Sequence, residues 1–264
     1  MLKAVTFDLW QTLLLDTPEG LGKARADRIR GVWEILRRQG IPVELPRVEE
    51  AYDGVAKRLE QIWATHHDIG SRGQVRWVLE GLGLGKRVPP EDRLMDDLDD
   101  AYSLPILSAL PLLNIGAREV LARLHGDGLS LALICNTGRT SGRMLRLVLD
   151  RLGLAPFLSI LTFSDEVGLR KPHPEIFRRT LSALAVVPGD AAHVGDDVRT
   201  DVAGARGVGM RAIHLRHPKG ASQDSDGVEG IATLGELPAL LLSARHPAGN
   251  EDLTADFSDS ADSF

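Results

Sequence analysis

The stretch Leu2-Lys3-Ala4-Val5-Thr6-Phe7-Asp8-Leu9-Trp10-Gln11-Thr12-Leu13 decides how the rest of this chain is read. Residues 2–7 form a short, nearly unbroken apolar run, as expected of a buried strand. Asp8 closes that run where a strand would simply turn, and Thr12 follows four residues later. A carboxylate placed there is either a cap for the next element or an acid aimed into a cleft. The rest of the sequence has to choose between the two.

Beyond Thr12 the alternation of short strands and helices lapses. Residues 19–39, 46–67, 71–82 and 90–102 instead carry helix-like apolar spacing, with turn residues at 40–42, 68–70 and 86–90. The alternation then resumes. Helices are predicted over 115–124, 139–152, 174–185 and 198–207, and strands over 129–135, 158–163, 191–194 and 211–215. Unbroken apolar strands separated by helices predict a doubly wound parallel α/β sheet, with ligands at the carboxyl ends of the strands. The expected organisation is an α/β core of residues 1–15 and 106–244, an inserted α-helical cap over 16–105, and an acidic tail over 245–264. Residues 216–229 are polar and read as a surface loop before a short final segment at 230–242.

Composition narrows the classes. With 264 residues and 43% hydrophobic content, the chain can bury one large core or two modest ones. It has no apolar stretch long enough for a membrane span, so no membrane partner is expected. The single cysteine, Cys135, cannot form an internal disulfide and fits a reducing compartment, which makes the cytoplasm the expected location. Of the net charge of −6, the five acids Glu251, Asp252, Asp256, Asp259 and Asp262 account for −5, leaving −1 for residues 1–245. Such a nearly neutral body offers no basic footprint for nucleic acid. The tail has too little apolar surface to offset ordering entropy, so disorder is expected there.

Further segments bear reactive groups in a fixed order after the first. They are Leu131-Ala132-Leu133-Ile134-Cys135-Asn136, Arg170-Lys171-Pro172-His173-Pro174, and His193-Val194-Gly195-Asp196-Asp197-Val198-Arg199-Thr200-Asp201. With Asp8 and Thr12 they resemble the four motifs of the haloacid dehalogenase-like (HAD) superfamily. The helical stretch between the first two resembles the inserted cap of its phosphoglycolate phosphatase-like branch. The resemblance implies a Mg²⁺-dependent phosphatase of a small phosphorylated metabolite. In that reading Asp8 attacks phosphorus to form an aspartyl-phosphate, and Lys171 neutralises the nucleophile and a phosphoryl oxygen. Mg²⁺ is held by Asp8, the Trp10 carbonyl and Asp196, oxygen ligands that suit a hard cation. Asp197 and Asp201 both qualify for its outer shell, and the motif spacing favours Asp201. Thr12, Cys135, Asn136 and Thr137 are the candidate phosphate-binding residues. Lys171 also stands out by itself, as the only lysine between Lys86 and Lys219. A compact ammonium suits charge neutralisation.

Two positions depart from the family pattern. Cys135 stands where Ser or Thr is usual and is a poor hydrogen-bond donor, so either Thr137, or Asn136 with the loop amides, has to hold phosphate. Trp10 stands where phosphatases carry a second Asp that protonates the leaving group and then activates water. Indole can do neither. This leaves two rival readings, a phosphate- or Mg²⁺-binding protein that has lost turnover and a 2-haloacid dehalogenase, whose halide departs without a proton. Dehalogenases of the superfamily generally lack the paired acids of the fourth motif, which are present here. His193 reads as a packed strand residue. Arg25, Arg28 and Arg76 either reach substrate from the cap or lie on solvated helix faces.

Overall fold

In the computed structural model, which describes residues 1–89, 92–216 and 227–242, β1 (Ala4–Phe7) is buried along its whole length. The chain then reverses tightly. Gln11 takes a φ of 58°, and the N–H groups of Leu13 and Leu14 both bond to the Leu9 carbonyl. The reversal delivers β2 (Leu14–Leu15), which pairs antiparallel with β3 (Leu112–Leu113). This small ribbon brings the two ends of the helical insertion side by side.

The insertion holds α1 (Pro18–Arg38), α2 (Leu45–Trp63), α3 (Ser71–Gly81) and α4 (Arg93–Ser103). Thr17 caps α1 by accepting from the Gly20 amide at 3.0 Å, with Pro18 in the first turn, and the helix ends before Gly40 at a φ of 67°. The four helices share a core of their own, to which Val32 and Leu36, Tyr52 and Leu59, Val78 and Leu79, and Leu98 and Tyr102 contribute. The pairs 32/36, 52/59 and 98/102 sit at helical spacing on one face, and Val78 and Leu79 are consecutive. Full burial of one such Leu is worth about 1.5–3 kcal/mol, so the insertion is held by its own apolar faces.

One predicted helix ends early. The spacing extends to residue 67, whereas α2 stops at Trp63 and His66 adopts a φ of 58°. The reason is tertiary. Leaving the helix lets His67 bridge to Leu169, with the Asp68 amide on the Gly168 carbonyl at 3.1 Å and the Arg170 amide on the His66 carbonyl at 3.0 Å. The predicted helix at 90–102 corresponds to α4, and residues 90 and 91 lie outside the described residues.

The core then runs through α5 (Ala117–Gly126), β4 (Ser130–Cys135), α6 (Gly142–Arg151), β5 (Ile160–Phe163), α7 (Ser164–Val167) and α8 (Pro174–Leu184). It continues with β6 (Ala191–Gly195), a π-helical turn at Val198–Val202, α9 (Ala203–Gly207), β7 (Arg211–Leu215), β8 (Glu229–Ile231) and α10 (Leu237–Leu242). The strands form one parallel sheet in the order β5-β4-β1-β6-β7-β8. Leu121, Leu145, Leu149 and Leu237 cover one face, while Ile176, Phe177, Val202 and Ala205 cover the other. Coverage on both sides is why the strands read as unbroken apolar runs. This is the doubly wound parallel α/β sheet read from the sequence, with its α-helical insertion.

β1 lies between β4 and β6, with Phe7 in register with Leu133 on one side and Val194 on the other. The chain leaves β1 toward β4 and β5, then returns to the opposite side through β6. The switch point therefore falls at the carboxyl end of β1, next to Asp8.

The sequence places a helix over 139–152, but α6 starts at Gly142, after Arg139 and Thr140 have bonded to Tyr102 and Arg28 of the insertion. It also places one over 198–207, which opens instead as the π turn. There the Asp201 and Val202 amides both bond to the Asp197 carbonyl, at 2.9 and 3.3 Å. The acidic tail at 245–264 and most of the predicted loop at 216–229 lie outside the described residues. Among the described residues no helix is long and apolar enough to cross a membrane.

Candidate active site

Strand ends assemble a buried charge cluster. Asp8 follows β1, Asp196 follows β6, and Asp201 sits in the π turn beyond it. One carboxylate oxygen from each lies within 4.8 Å of the others. Lys171, in the loop before α8, places its ammonium 2.5 Å from Asp8 Oδ1 and 2.6 Å from Asp201 Oδ1. The Lys171, Asp8 and Asp201 side chains are all at least nine-tenths buried.

The neighbours that fix this geometry are specific. His193, buried in β6, lies 3.1 Å from Asp201 through Nε2 and 2.7 Å from the Thr6 hydroxyl through Nδ1. Burial lowers its pKa, so the neutral ring donates to Asp201 and accepts from Thr6. His193 is thus packed, as read from its strand position, and also orients an acid. Gly195 is required by the close approach of Asp201, whose Cγ would lie 2.3 Å from any Cβ added there. Asp197 is engaged elsewhere, with its Oδ1 accepting from the Arg199 and Thr200 amides at 2.7 and 2.9 Å and so capping the π turn. Of the two acids open to the outer shell, only Asp201 belongs to the cluster.

Electrostatics follow from burial and sign. Burial, helped by Asp201, pushes Asp8 up to about 7 against the opposing pull of Lys171. Burial and the Asp201 charge likewise raise Asp196 to about 6. For Asp201, burial is outweighed by Lys171 and His193, which hold its carboxyl below the usual carboxylate range. Burial also opposes the Lys171 charge, but Asp201 and Asp8 prevail and keep the ammonium protonated. Three acids facing one ammonium leave negative charge uncompensated at a set of hard oxygen donors. The donor set fits a divalent cation such as Mg²⁺.

The candidate phosphate-binding residues divide. The Thr12 hydroxyl is fully buried with no hydrogen-bond partner among the described residues, an orphan donor beside the strand end. Cys135 is buried in the sheet core, and burial raises its thiol well above the ordinary value. The Asn136 side-chain amide is engaged with the lysine loop: its Nδ2 donates to the Lys171 carbonyl at 3.0 Å and its Oδ1 accepts from the Lys171 amide at 2.8 Å. It holds the lysine loop in place. Thr137 is not a spare hydroxyl either. Its Oγ1 lies 3.3 Å from Asp68 Oδ2 and 3.1 Å from Ser164 Oγ, and its amide donates to Ser164 Oγ at 2.8 Å. The Thr137 hydroxyl, one of the two alternatives to Cys135, is thus already engaged in the contact with the insertion.

That contact centres on Asp68, a residue the sequence presents only as part of a turn. Its Oδ1 accepts from Trp63 Nε1 at 3.0 Å and from the Ile69 amide at 2.8 Å. Its Oδ2 accepts from Ser164 Oγ and, at 2.7 Å, from Arg170 Nη1. Arg170 also donates to the Thr137 carbonyl at 3.0 Å and stacks 4.1 Å over the Trp63 ring. Arg28 and Arg139 complete the junction. Arg28 Nη2 donates from α1 to Thr140 Oγ1 at 2.8 Å, and Arg139 Nη1 donates to the Tyr102 hydroxyl at 2.7 Å. Arg25, by contrast, pairs with Glu49 and Asp53 on the surface of the insertion. Between insertion and core lies a cleft of about 380 Å³ lined by Trp10, Arg28, Trp63, Asn136, Arg139 and Arg170, among others.

Comparison with known proteins places this geometry in a family. The haloacid dehalogenase-like hydrolase family matches residues 2–209. The glyceraldehyde 3-phosphate phosphatase of Pyrococcus furiosus is 36% identical over 254 residues, covering 91% of this chain and 92% of that protein. The phosphoserine phosphatase of Thermus thermophilus is 43% identical over 228 residues, covering 80% of this chain and 88% of that protein. Among solved structures, a 2-haloacid dehalogenase from Pseudomonas syringae superposes with a TM-score of 0.66 at 26% identity. It covers 92% of this chain and 100% of that one.

The Asp68–Arg170 pair is expected to matter far more than a surface pair of equal length. Arg58 and Glu80 are also 2.7 Å apart, but both are more than two-fifths exposed, and exposed pairs contribute about 0–1 kcal/mol. The Asp68 side chain is 0% exposed and that of Arg170 13%, and stripping a buried charge of its partner costs about 3–5 kcal/mol. Asp68→Ala should therefore lower unfolding stability by that amount in urea titration, whereas Glu80→Ala should change it by less than about 1 kcal/mol. Equal effects from the two would refute the anchoring role of Asp68.

Proposed function

This chain belongs to the haloacid dehalogenase-like hydrolases, and we propose that it is a Mg²⁺-dependent phosphatase of a small phosphorylated metabolite, working through an aspartyl-phosphate on Asp8. The observation that carries this reading is the buried constellation of Asp8, Lys171, Asp196 and Asp201 at the sheet's switch point. Relatives named as phosphatases support the reaction class. The acidic set argues against dehalogenation, because a halide leaving group gives no reason to gather three carboxylates.

Phosphoryl transfer needs an aligned nucleophile and opposing charge on the transferred oxygens. Asp8 supplies the nucleophile: its oxygen forms a bond to phosphorus as the bond to the leaving oxygen breaks. Lys171 provides positive charge beside the same carboxylate and is itself held by Asp201 and by the Asn136 amide. Asp8, Asp196 and the Trp10 carbonyl would hold Mg²⁺, with Asp201 behind them. When bound, the cation supplies charge neutralisation for the phosphoryl group and the nucleophile. The unpartnered Thr12 hydroxyl is a donor left for phosphoryl oxygens; of the loop amides next to Asn136, that of Thr137 is already taken by Ser164 Oγ. Water then attacks phosphorus, releasing phosphate and restoring Asp8. The buried lone thiol of Cys135 accords with a reducing, cytoplasmic setting.

Trp10 makes the leaving group decisive. Its indole lines the cleft and packs against the sheet core, so no carboxyl is available at that position to protonate a departing alkoxide. Positioned acid–base groups are worth about 10²–10⁴-fold in rate. Substrates whose leaving group departs as a stable anion lose least by that absence.

Metal binding and leaving-group preference can be tested separately. Mg²⁺ should raise the melting temperature by binding the native state, by about 2.7 kcal/mol of stability at 100 times the dissociation constant. Asp196→Ala should remove most of that shift, and Asp8→Asn should reduce turnover to the uncatalysed level. A wild type without a Mg²⁺ response that releases halide from a 2-haloacid would support the dehalogenase reading instead. As for the leaving group, the wild type should favour phenyl phosphate over propyl phosphate in kcat, and Trp10→Asp should raise propyl phosphate turnover by up to about 10²-fold. Fast wild-type turnover of propyl phosphate without aryl preference would contradict the role given to Trp10.

A further inference from the structure

The cleft between insertion and core has two chemically distinct parts. Its apolar wall includes Trp10, Leu21, Trp63, Ile106 and Leu110. Leu21 and Leu110 are 53% and 38% exposed, so apolar surface continues out to the mouth. The inner end meets the phosphoryl centre through Trp10, two residues from Asp8, and through Asn136, which clamps Lys171. A leaving group the size of a three-carbon alcohol would leave most of this wall wet. An aromatic or similarly apolar body would bury it, at about 25 cal/mol for each Å² removed from water. The volume of about 380 Å³ lies within the usual range for small-molecule sites.

The polar part is a guanidinium without a counter-charge. Arg170 is paired with Asp68, and Arg28 is faced by Asp16, whose own carboxyl is raised by burial against the pull of Arg28. Arg139 has no carboxylate within ion-pair distance among the described residues. Its Nη1 is committed to the Tyr102 hydroxyl at 2.7 Å and the Tyr52 carbonyl at 3.4 Å, and its guanidinium carbon lies 4.4 Å from the centre of the Tyr52 ring. Stacking and these bonds fix the plane of the group. Nε and Nη2, which together form one edge of the fork, have no acceptor among the described residues. That edge matches the two oxygens of a carboxylate.

We propose that the substrate is a phosphate monoester whose leaving group is an aromatic or similarly apolar body bearing a carboxylate, and that Arg139 binds that carboxylate. The assignment rests on the phosphatase reading for the phosphoryl end of the molecule. It makes Arg139 a specificity-determining residue. It also sets this cleft apart from what a serine- or glyceraldehyde-sized leaving group requires, since those expose little apolar surface.

Non-hydrolysable ligands separate this proposal from turnover. Calorimetric binding of benzylphosphonate, its 4-carboxy derivative and 3-phosphonopropionate to the Mg²⁺-loaded full chain compares an aryl ligand, an aryl carboxylate and a short carboxylate. The 4-carboxy derivative should bind at least about tenfold more tightly than either of the others, the expected worth of a charge-assisted hydrogen-bonded pair. In Arg139→Met the advantage over benzylphosphonate should fall to about onefold, with the ratio as readout so that a general loss of affinity cancels. A wild-type ratio near one, a preference fully retained in Arg139→Met, or equal binding of 3-phosphonopropionate would each overturn the proposal. The wild-type comparison alone decides if the variant does not fold. Preferential binding of the 4-carboxy ligand without hydrolysis of any phosphate ester would sink the phosphatase reading and leave the cleft assignment standing. Hydrolysis without carboxylate preference would do the reverse.

Discussion

A buried ammonium shared between two acids is the contact on which the site depends. Lys171 lies 2.5 Å from Asp8 and 2.6 Å from Asp201, and without it three carboxylates would crowd a water-poor strand end with nothing to offset them. Removing water from an isolated charge costs several kcal/mol, so the buried Asp8 and Asp201 charges persist only because Lys171 pairs with both. The partners are supplied in layers: His193 steadies Asp201, Thr6 steadies His193, and the Asn136 amide fixes the Lys171 backbone from both sides. Even so, the compensation is incomplete. Asp8 and Asp196 stay above their ordinary pKa values, because burial, together with the Asp201 charge beside them, outweighs the pull of Lys171.

The same loop that carries Lys171 also ties down the helical insertion. Arg170 reaches Asp68 in the direction of the cleft, while the next residue reaches Asp8 in the core. The joining of insertion and core is thereby linked to the placement of the ammonium, because adjacent residues of one short segment serve both. Thr137 and Ser164 take part in the joint, which is why hydroxyls near the strand ends are not all available to a ligand. The arrangement leaves Arg139, stacked on Tyr52, as the charge in the cleft without a counter-ion among the described residues.

Much of this was legible because strand ends announce themselves. Asp8 and Asp196 each close an apolar run, and Lys171 stands alone among arginines with prolines close behind it, so their convergence followed from a doubly wound sheet. The two-sided burial of β1, β4 and β6 was equally readable from unbroken apolar stretches. Asp68 was not legible: in sequence, Asp68-Ile69-Gly70 has the composition of a turn, and its partner Arg170 is about a hundred residues away, beyond any local period. The early end of α2 is invisible for the same reason, since residues 64–67 have helical spacing and give it up only for pairing with residues 168–170. The partners of Thr137 were not legible either, because alternation along an extended chain says which side a residue faces, and not which groups it already meets. The one hint available for Arg170 was its place beside Lys171 in the loop.

Chemical trapping at Asp8 tests the central claim most directly. Without a carboxyl at residue 10 to activate water, hydrolysis of the phosphorylated enzyme should be slow enough for the intermediate to accumulate. A single turnover of phenyl phosphate with Mg²⁺, quenched in acid and digested, should yield the N-terminal peptide containing Asp8 heavier by one phosphoryl group, and Asp8→Asn should abolish the label. Turnover that proceeds with no label on that peptide, or with the label on another residue, would contradict the account.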